Sequence, residues 1–572
     1  MAVSAIADSS TLEVMWSRLN SIADEAAITL VRTSFSTVVR ESKDLTCVLF
    51  DTLGRSLAQA AMSIPSFTGT LPLTMKHFLQ RYPAKEWRAG DVVMTNDPWL
   101  GSGHLPDINI AVPVFLRRKL VGFAGLVAHA PDIGGKTLSA TAAEIYEEGL
   151  RLPVCRLARA GKWSEDIVDL IRTNVRVPDE VLGDLNALVA AGEVAQRRIV
   201  EFMKEFELND LSELANEIQK RAETAMRNRI RALPQGTYHH TLITDGFDEP
   251  LKLQLALRVL KDRLELDYTG TAPQQRSGIN APWCYTYSYS VFAVKSVLTP
   301  EVPNNEGTFR PISVHAPERS LLNARFPAAT GARSTTGHFV VTAVYGALGQ
   351  IVPERVLAEC GAPRPIVVLR GIGDDGRPFS QTLFCMGSMG ARPTEDGISC
   401  IAYPTNTSVT PVEVVETGAA IRIGRKEIIQ DSGGAGKFRG GCGQWLEVEL
   451  LTKAPVTISV RSDRTRNPAR GVAGGGPGSC TRVLLNGEKI NPKGITIAHT
   501  GDRLRVETPG SGGYGDPLER DPERIHTDVT NGVVSAAAGR SLYGAVIDDA
   551  TGQLDLAATV RLRQELRSNK SG

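Results

Sequence analysis

No stretch of the sequence reaches the roughly 18 consecutive apolar residues that a membrane-spanning helix needs, and the N-terminal MAVSAIADSSTLEVMW lacks a basic segment followed by an apolar core. These absences make a soluble, cytoplasmic protein the expectation. An excess of one charge is missing too. Against 63 Asp and Glu stand 64 Lys and Arg, well mixed, so the net charge of +1 gives no electrostatic case for nucleic acid or an acidic membrane as partner. The eight cysteines are scattered, with no CxxC pair and no zinc-ribbon spacing; the expectation is reduced, mostly buried thiols rather than a disulfide framework or a thiolate metal site. A phosphate-binding loop is also lacking. In APDIGGKT (130–137) Ala130 stands where the first glycine belongs and Pro131 stiffens the loop, and in GGAGKF Lys437 is followed by Phe438, not by a hydroxyl that could hold magnesium.

What the sequence does have is concentrated between residues 91 and 138. One pattern occurs there twice, as His104-Leu-Pro-Asp107 and His129-Ala-Pro-Asp132. Each copy sets an imidazole three residues before a carboxylate, and the proline excludes a regular helix and fixes φ, so both side chains can converge. The apolar run from Asn109 to Ala128, broken at Arg117-Arg118-Lys119, reads as two strands joined by a tight turn, which puts the two copies at neighbouring ends of a hairpin. Two histidines and a carboxylate suit Zn, Mn or non-haem Fe and leave positions open for water or substrate. The competing reading makes both histidines ordinary loop residues bonded to backbone.

At 572 residues the chain is too long for one core. The expected class is mixed α+β and multidomain: a metal-bearing region (1–160), a helical insert (161–233), a β-rich region with Asn/Gly loops (234–345), a Gly-rich β domain (346–520) and a helical tail (521–572). Leu12, Met15, Leu19, Ile22 and Ala26 recur at helical spacing, with Ser9 and Ser10 as offered caps. Arg40, Glu41, Lys43 and Asp44 read as a solvated charged loop before a strand at Leu45 to Phe50. Of Glu147 and Glu148, at most one can face a metal, where a carboxylate would serve as general base. Trp283, Tyr285, Tyr287 and Tyr289 read as a core-packing face in preference to a pocket lining. His338 reads as a hydrogen-bonded loop histidine, and the loops between Pro300 and Phe339 as able to offer backbone donors to an oxyanion.

Taken together, TNDPWLGSGHLPDI, AHAPDIGG, EEGLRLP, NEGTFRPI, TNTSVTPVEVVE, DSGGAGKFRGG and TPGSGGYGDPLERDPERI resemble the hydantoinase B/oxoprolinase family, over about Leu12 to Ile547. The resemblance implies the B-type subunit of an ATP-dependent cyclic amide hydrolase. A hydantoinase A-type partner binds ATP and Mg and phosphorylates the amide oxygen, and hydroxide on a divalent metal, Mn or Zn, attacks the activated carbon. Acetone carboxylase, a relative, carries its metal on an HxxD…H set, which falls here on His104, Asp107 and His129. Asp132 or Glu148 is then the expected proton acceptor, and Asn96 or Asp97 an orienting group. The alternatives are a subunit of an ATP-dependent ketone carboxylase, against which the chain length argues weakly, and a non-catalytic structural subunit.

Overall fold

A computed structural model describes residues 8–136, 138–548 and 551–570. Its centre is a seven-stranded antiparallel sheet, order β2-β1-β5-β4-β3-β6-β7, of β1 (Leu45–Phe50), β2 (Ser56–Gln59), β3 (Val92–Thr95), β4 (Asp107–Leu116), β5 (Lys119–His129), β6 (Cys155–Arg159) and β7 (Lys162–Trp163). β4 and β5 form the expected hairpin. Leu116 pairs with Lys119, and Arg117 and Arg118 between them take φ of 48° and 69°, the left-handed pair that matches the twist of the flanking strands. At the hairpin's open end Asp107 stands directly opposite His129.

Both sheet faces are covered, which is why β4 and β5 read as continuous apolar runs. Helices α1 (Ser9–Thr33) and, later in the chain, α3 (Pro178–Glu205) bury Ile108, Ile110, Val112 and Leu126 on one side. Helix α2 (Pro65–Arg81) buries Phe123 and Val127 against Phe67, Leu71 and Phe78 on the other. Each such side chain contributes about 1.5–3 kcal/mol by leaving water. The predicted face of α1 is fully buried, but its cap is Asp8, which accepts from Thr11 N at 2.8 Å, so the helix starts two residues before Thr11. α3 and α4 (Ser212–Arg231) share one core with α1, running from Leu12 to Ile218. The helical stretch is therefore a layer of the N-terminal unit, not an insert standing apart from it.

A second sheet, order β11-β10-β9-β8, comprises β8 (Gly236–Thr244), β9 (Leu251–Val259), β10 (Leu264–Asp267) and β11 (Ile312–His315). The alternating Leu253, Leu255 and Leu257 pack against α5 (Trp283–Leu298) and α6 (Ser334–Leu348). The rest is a sandwich. One sheet contains β12 (Ile366–Ile372), β13 (Pro378–Phe384), β16 (Val456–Arg461) and β19 (Ile495–Ala498); the other contains β14 (Ile421–Ile428), β15 (Gln444–Leu450), β17 (Arg482–Leu485), β18 (Glu488–Lys489) and β20 (Arg503–Glu507). Val367, Ile458, Val448 and Val506 meet between them.

The glycine-rich segments 431–443, 470–478 and 508–517 do more than turn the chain. They stack on one another through backbone hydrogen bonds such as Gly476 N to Ala435 O (2.7 Å) and Val472 N to Gly513 O (3.0 Å). A Cβ on Gly512 would stand 2.0 Å from Arg470 O, so close approach is what demands glycine there. Short helices, beginning with Pro522–Thr530 capped by Asp521, close the chain.

Candidate metal centre

His104 lies in the segment leading into β4, and His129 is the last residue of β5. The i, i+3 spacing brings His104 to Asp107, and the hairpin register brings His129 to the same carboxylate. His104 Nε2 is 2.8 Å and His129 Nδ1 2.9 Å from Asp107 Oδ1, and the imidazole centroids are 5.1 Å apart. One ligand atom from each of the three residues lies within 4.8 Å of the others. All three are buried, at 2%, 1% and 3% exposure for His104, Asp107 and His129.

The hydrogen bonding of this trio is incomplete. His104 Nε2 is close to Asp107 but poorly aligned, and neither ring nitrogen of His104 nor Nε2 of His129 has a hydrogen-bond partner. Leaving such a buried polar atom unsatisfied costs about 1–3 kcal/mol. An unpartnered nitrogen on each of two imidazoles beside a shared carboxylate fits a divalent cation, which takes one lone pair from each ring. Burial and the nearby Arg333 charge push His104 down to about 3, so its ring is neutral and able to ligate at neutral pH. Burial alone would raise Asp107, but His104 and Arg333 outweigh it and hold the carboxyl well below the usual range. Arg333 Nη2 donates to Asp107 Oδ2 at 2.6 Å, its Nε donates to Ser102 O at 2.9 Å, and its guanidinium lies 4.0 Å from the centroid of Tyr285. Asp107 thus turns one oxygen to Arg333 and the other to the two histidines.

The second HxPD copy does not repeat this geometry. β5 ends at His129, and Asp132, beyond the strand, turns to Arg176, accepting from its Nη1 at 2.7 Å and its backbone N at 2.6 Å. Glu148 also sits off the cavity wall: Oε1 accepts from Thr330 N (2.8 Å) and Gly331 N (2.6 Å). Two of the loop donors that read as an oxyanion site are therefore spent on this internal side chain. Asp97 accepts from Trp99 N at 2.9 Å and lies 3.6 Å from Arg151 Nε, again away from the trio. Asn96 clasps backbone, donating to Leu105 O and Leu150 O and accepting from Leu152 N, and so fixes the carbonyl next to His104.

The trio opens on a cavity of about 40 Å³, enough for a few water-sized groups. Much of its wall comes from residues that carry no local signal. Asp44, expected on a solvated loop, lines it, and burial raises its carboxyl above the ordinary value. Tyr285 and Tyr289 line it from α5, because alternate aromatics on a helix put residues four apart on one face. His338, expected in a loop, is buried near the start of α6 with both nitrogens unpartnered; burial and neighbouring arginines push it well below its ordinary value. Arg333, Arg364 and Arg461 complete the charged wall. On the far side of His338 opens a larger cavity of about 340 Å³, lined by Val341, Tyr345, Val356, Cys360, Tyr403 and Val472 among others.

The profile of the hydantoinase B/oxoprolinase family matches residues 8–517. The chain belongs to that family. It is 30% identical to a putative D-/L-hydantoinase B-type subunit of Pseudomonas sp. (strain NS671), over 97% of this chain and 98% of the relative. It is 31% identical to the caprolactamase beta subunit of Pseudomonas jessenii, over 96% and 98% of the two chains. The crystal structure of the ATP-dependent caprolactamase from that organism superimposes with a TM-score of 0.90, covering 97% of this chain and 99% of that one at 31% identity. Nucleotide-free acetone carboxylase shares the fold, with a TM-score of 0.86 at 19% identity, covering 98% of this chain and 83% of that one. Family relatives thus bear the names of cyclic amide hydrolases and of B-type or beta subunits, and the fold is the mixed, multidomain α+β architecture expected. No helix among the described residues is long and apolar enough to cross a membrane.

Proposed function

We propose that this chain is the metal-bearing B-type subunit of an ATP-dependent cyclic amide hydrolase, acting with an A-type partner that binds ATP and Mg. One observation above the others carries the reading. A buried His104, Asp107 and His129 set, with three imidazole nitrogens left unpartnered, faces a charged cavity in a chain whose near-full-length relatives are named hydantoinase and caprolactamase subunits.

An amide carbonyl is a poor electrophile until its oxygen becomes a phosphate leaving group, and that activation falls to the partner. A divalent ion, Mn or Zn, held by His104, Asp107 and His129 would supply Lewis-acid polarisation and acidify a water. Arg333 keeps Asp107 ionised and oriented. Asp44 is the cavity's other carboxylate among the described residues, and its raised carboxyl takes the proton released as water adds to the activated carbon. Neutral His338 divides this cavity from the larger, mostly apolar one, which has the volume for a lactam or hydantoin ring.

The deciding assay combines this chain, its partner and ATP with hydantoins, 5-oxoproline, caprolactam and simple ketones, following phosphate release and product together. Ring opening without bicarbonate is the expected result. Product formed only with bicarbonate would move the protein to the ketone carboxylases.

A further inference from the structure

Six arginines are buried among the described residues, and four of them are neutralised in place. Arg333 pairs with Asp107 at 2.6 Å, Arg439 with Asp528 at 3.2 Å, Arg464 with Glu359 at 2.8 Å and Arg520 with Asp396 at 2.6 Å. Arg364 and Arg461, each only 4% exposed, are the exceptions: among the described residues no carboxylate lies within ion-pairing distance of either. Arg364 donates from Nη2 to Thr407 Oγ1 at 2.5 Å and stacks 4.6 Å from the Phe384 centroid, while its Nε and Nη1 have no partner. Arg461, the last residue of β16, donates from Nη1 to Gly331 O at 2.7 Å and leaves Nε unpartnered. Both line the cavity that holds His104, Asp107 and His129. Asp44 on the same wall is the carboxylate whose charge reaches both without contact, and one carboxylate, its ionisation opposed by burial, does not balance two buried guanidiniums; the pair marks a place that an anion completes.

Charge and shape narrow the anion. Three guanidiniums on the wall face two carboxylates, Asp44 and Asp107. A divalent ion on the histidine set raises the positive surplus further. A carboxylate or bicarbonate offsets one unit of it, whereas a phosphoryl group carries about −1.5 to −2 at neutral pH and presents three oxygens to two planar forks. Burial lowers Arg364 to about 10 and Arg461 to about 9, which leaves both charged at pH 7. The geometry points to Arg364 and Arg461 as an oxyanion receptor that holds the phosphoryl group of the activated amide beside the His104, Asp107 and His129 set. This deepens the hydrolase reading and rests on it for the source of the phosphoryl group.

Inorganic phosphate is the probe. Its binding to the full-length chain, loaded with Mn and metal-free, is measured by calorimetry in parallel with acetate and bicarbonate, on wild type, Arg364→Met, Arg461→Met and His104→Ala, with metal content and melting temperature recorded for each. Phosphate should bind wild type more tightly than either carboxylate does. Each Met variant should weaken it ten-fold or more with metal content unchanged. His104→Ala should lose the metal and keep measurable phosphate binding, which separates failure of the metal reading from failure of this one. Should the Met variants not fold, Arg364→Lys and Arg461→Lys keep the charge but lose the planar fork, and weaker phosphate binding is still expected. Equal phosphate affinity in wild type and the arginine variants, no phosphate binding at all, or acetate or bicarbonate binding as tightly as phosphate would overturn the assignment.

Discussion

Replacing Glu148 by Gln separates two roles that a buried carboxylate near a metal centre can play. Glu148 is 2% exposed; Oε1 holds Thr330 N and Gly331 N, while Oε2 has no partner. Burial lifts its carboxyl from 4.5 to about 8 in spite of those two backbone donors, so at pH 7 the group is largely neutral. In the unfolded chain it titrates near its ordinary value. Between about pH 4.5 and 8 the folded protein therefore holds a proton that the unfolded chain has lost, and folding stability falls as pH rises through that window, becoming level above it. A shift of about 3.5 units at ~1.4 kcal/mol each sets an upper limit of about 5 kcal/mol on the loss, less whatever local relaxation recovers when the group ionises. A glutamine amide keeps an acceptor for both backbone donors and cannot titrate. The metal-free chain should accordingly melt with a steeper decline from pH 5 to pH 8 than Glu148→Gln does, the two profiles converging in slope above pH 8. Turnover tells the same two roles apart. A lost general base costs roughly 10²–10⁴ in kcat, whereas a positioning residue whose bonds survive in Gln leaves most of kcat and the metal content in place. Parallel melting profiles, or a collapse of kcat with metal retained, would refute the anchor role.

His104→Ala or His129→Ala should abolish both bound metal and activity, and a double variant that retains full metal by elemental analysis would sink the site assignment. Asp44→Asn should keep the metal and lower kcat by about 10²–10⁴, the range for a lost proton acceptor; unchanged turnover would remove Asp44 from the reaction. Adding Mn to the chelator-stripped chain should raise its melting temperature by mass action, about 2.7 kcal/mol of stabilisation at a hundred times Kd, and the shift should vanish in His104→Ala. At the β4–β5 turn, where Arg117 and Arg118 both hold positive φ, Arg117→Asn with Arg118→Gly relieves left-handed strain. That pair should stabilise by roughly 1 kcal/mol in denaturant unfolding, provided Asn-Gly suits the turn as its twist requires.

The parts of this site that could be read from sequence are those that local chemistry fixes. His104 and Asp107 are three residues apart. His129 joins them because an apolar hairpin with a two-residue turn has one register, and that register puts Asp107 opposite it. The same local reasoning failed at Asp132, whose motif matches that of Asp107 at histidine, proline and aspartate alike. One lies on a strand and the other three residues past a strand's end, and the repeat carries no information about that difference. The aromatic run 283–289 does pack into a core, as read, but alternation leaves open whether it is strand or helix, and only the helix turns Tyr285 and Tyr289 to the cavity together. The glycine-rich segments announced turns, but the need for glycine comes from backbones of three distant segments passing within a Cβ's width of each other, which no single segment reveals.

Arginine is where sequence reading had least to offer and where the structure adds most. Arg333, Arg364 and Arg461 stand among 64 basic residues with no local feature to set them apart. Each reaches the cavity from a different element: Arg333 at the start of α6, Arg364 just before β12, and Arg461 at the end of β16. They converge because the loop entering α6 and the ends of two sandwich strands meet the open end of the central hairpin at this cavity, and Gly331, whose N is held by Glu148 and whose O is held by Arg461, ties the three units at one residue. A single residue thus links Glu148 of the N-terminal unit, the loop that carries Arg333 to Asp107, and the strand that carries Arg461. Displacing it would move the ligand-orienting arginine and one of the two free arginines together. For that reason Glu148→Ala, which strips Gly331 N and Thr330 N of their acceptor, should weaken metal and phosphate binding at once, whereas Glu148→Gln should weaken neither.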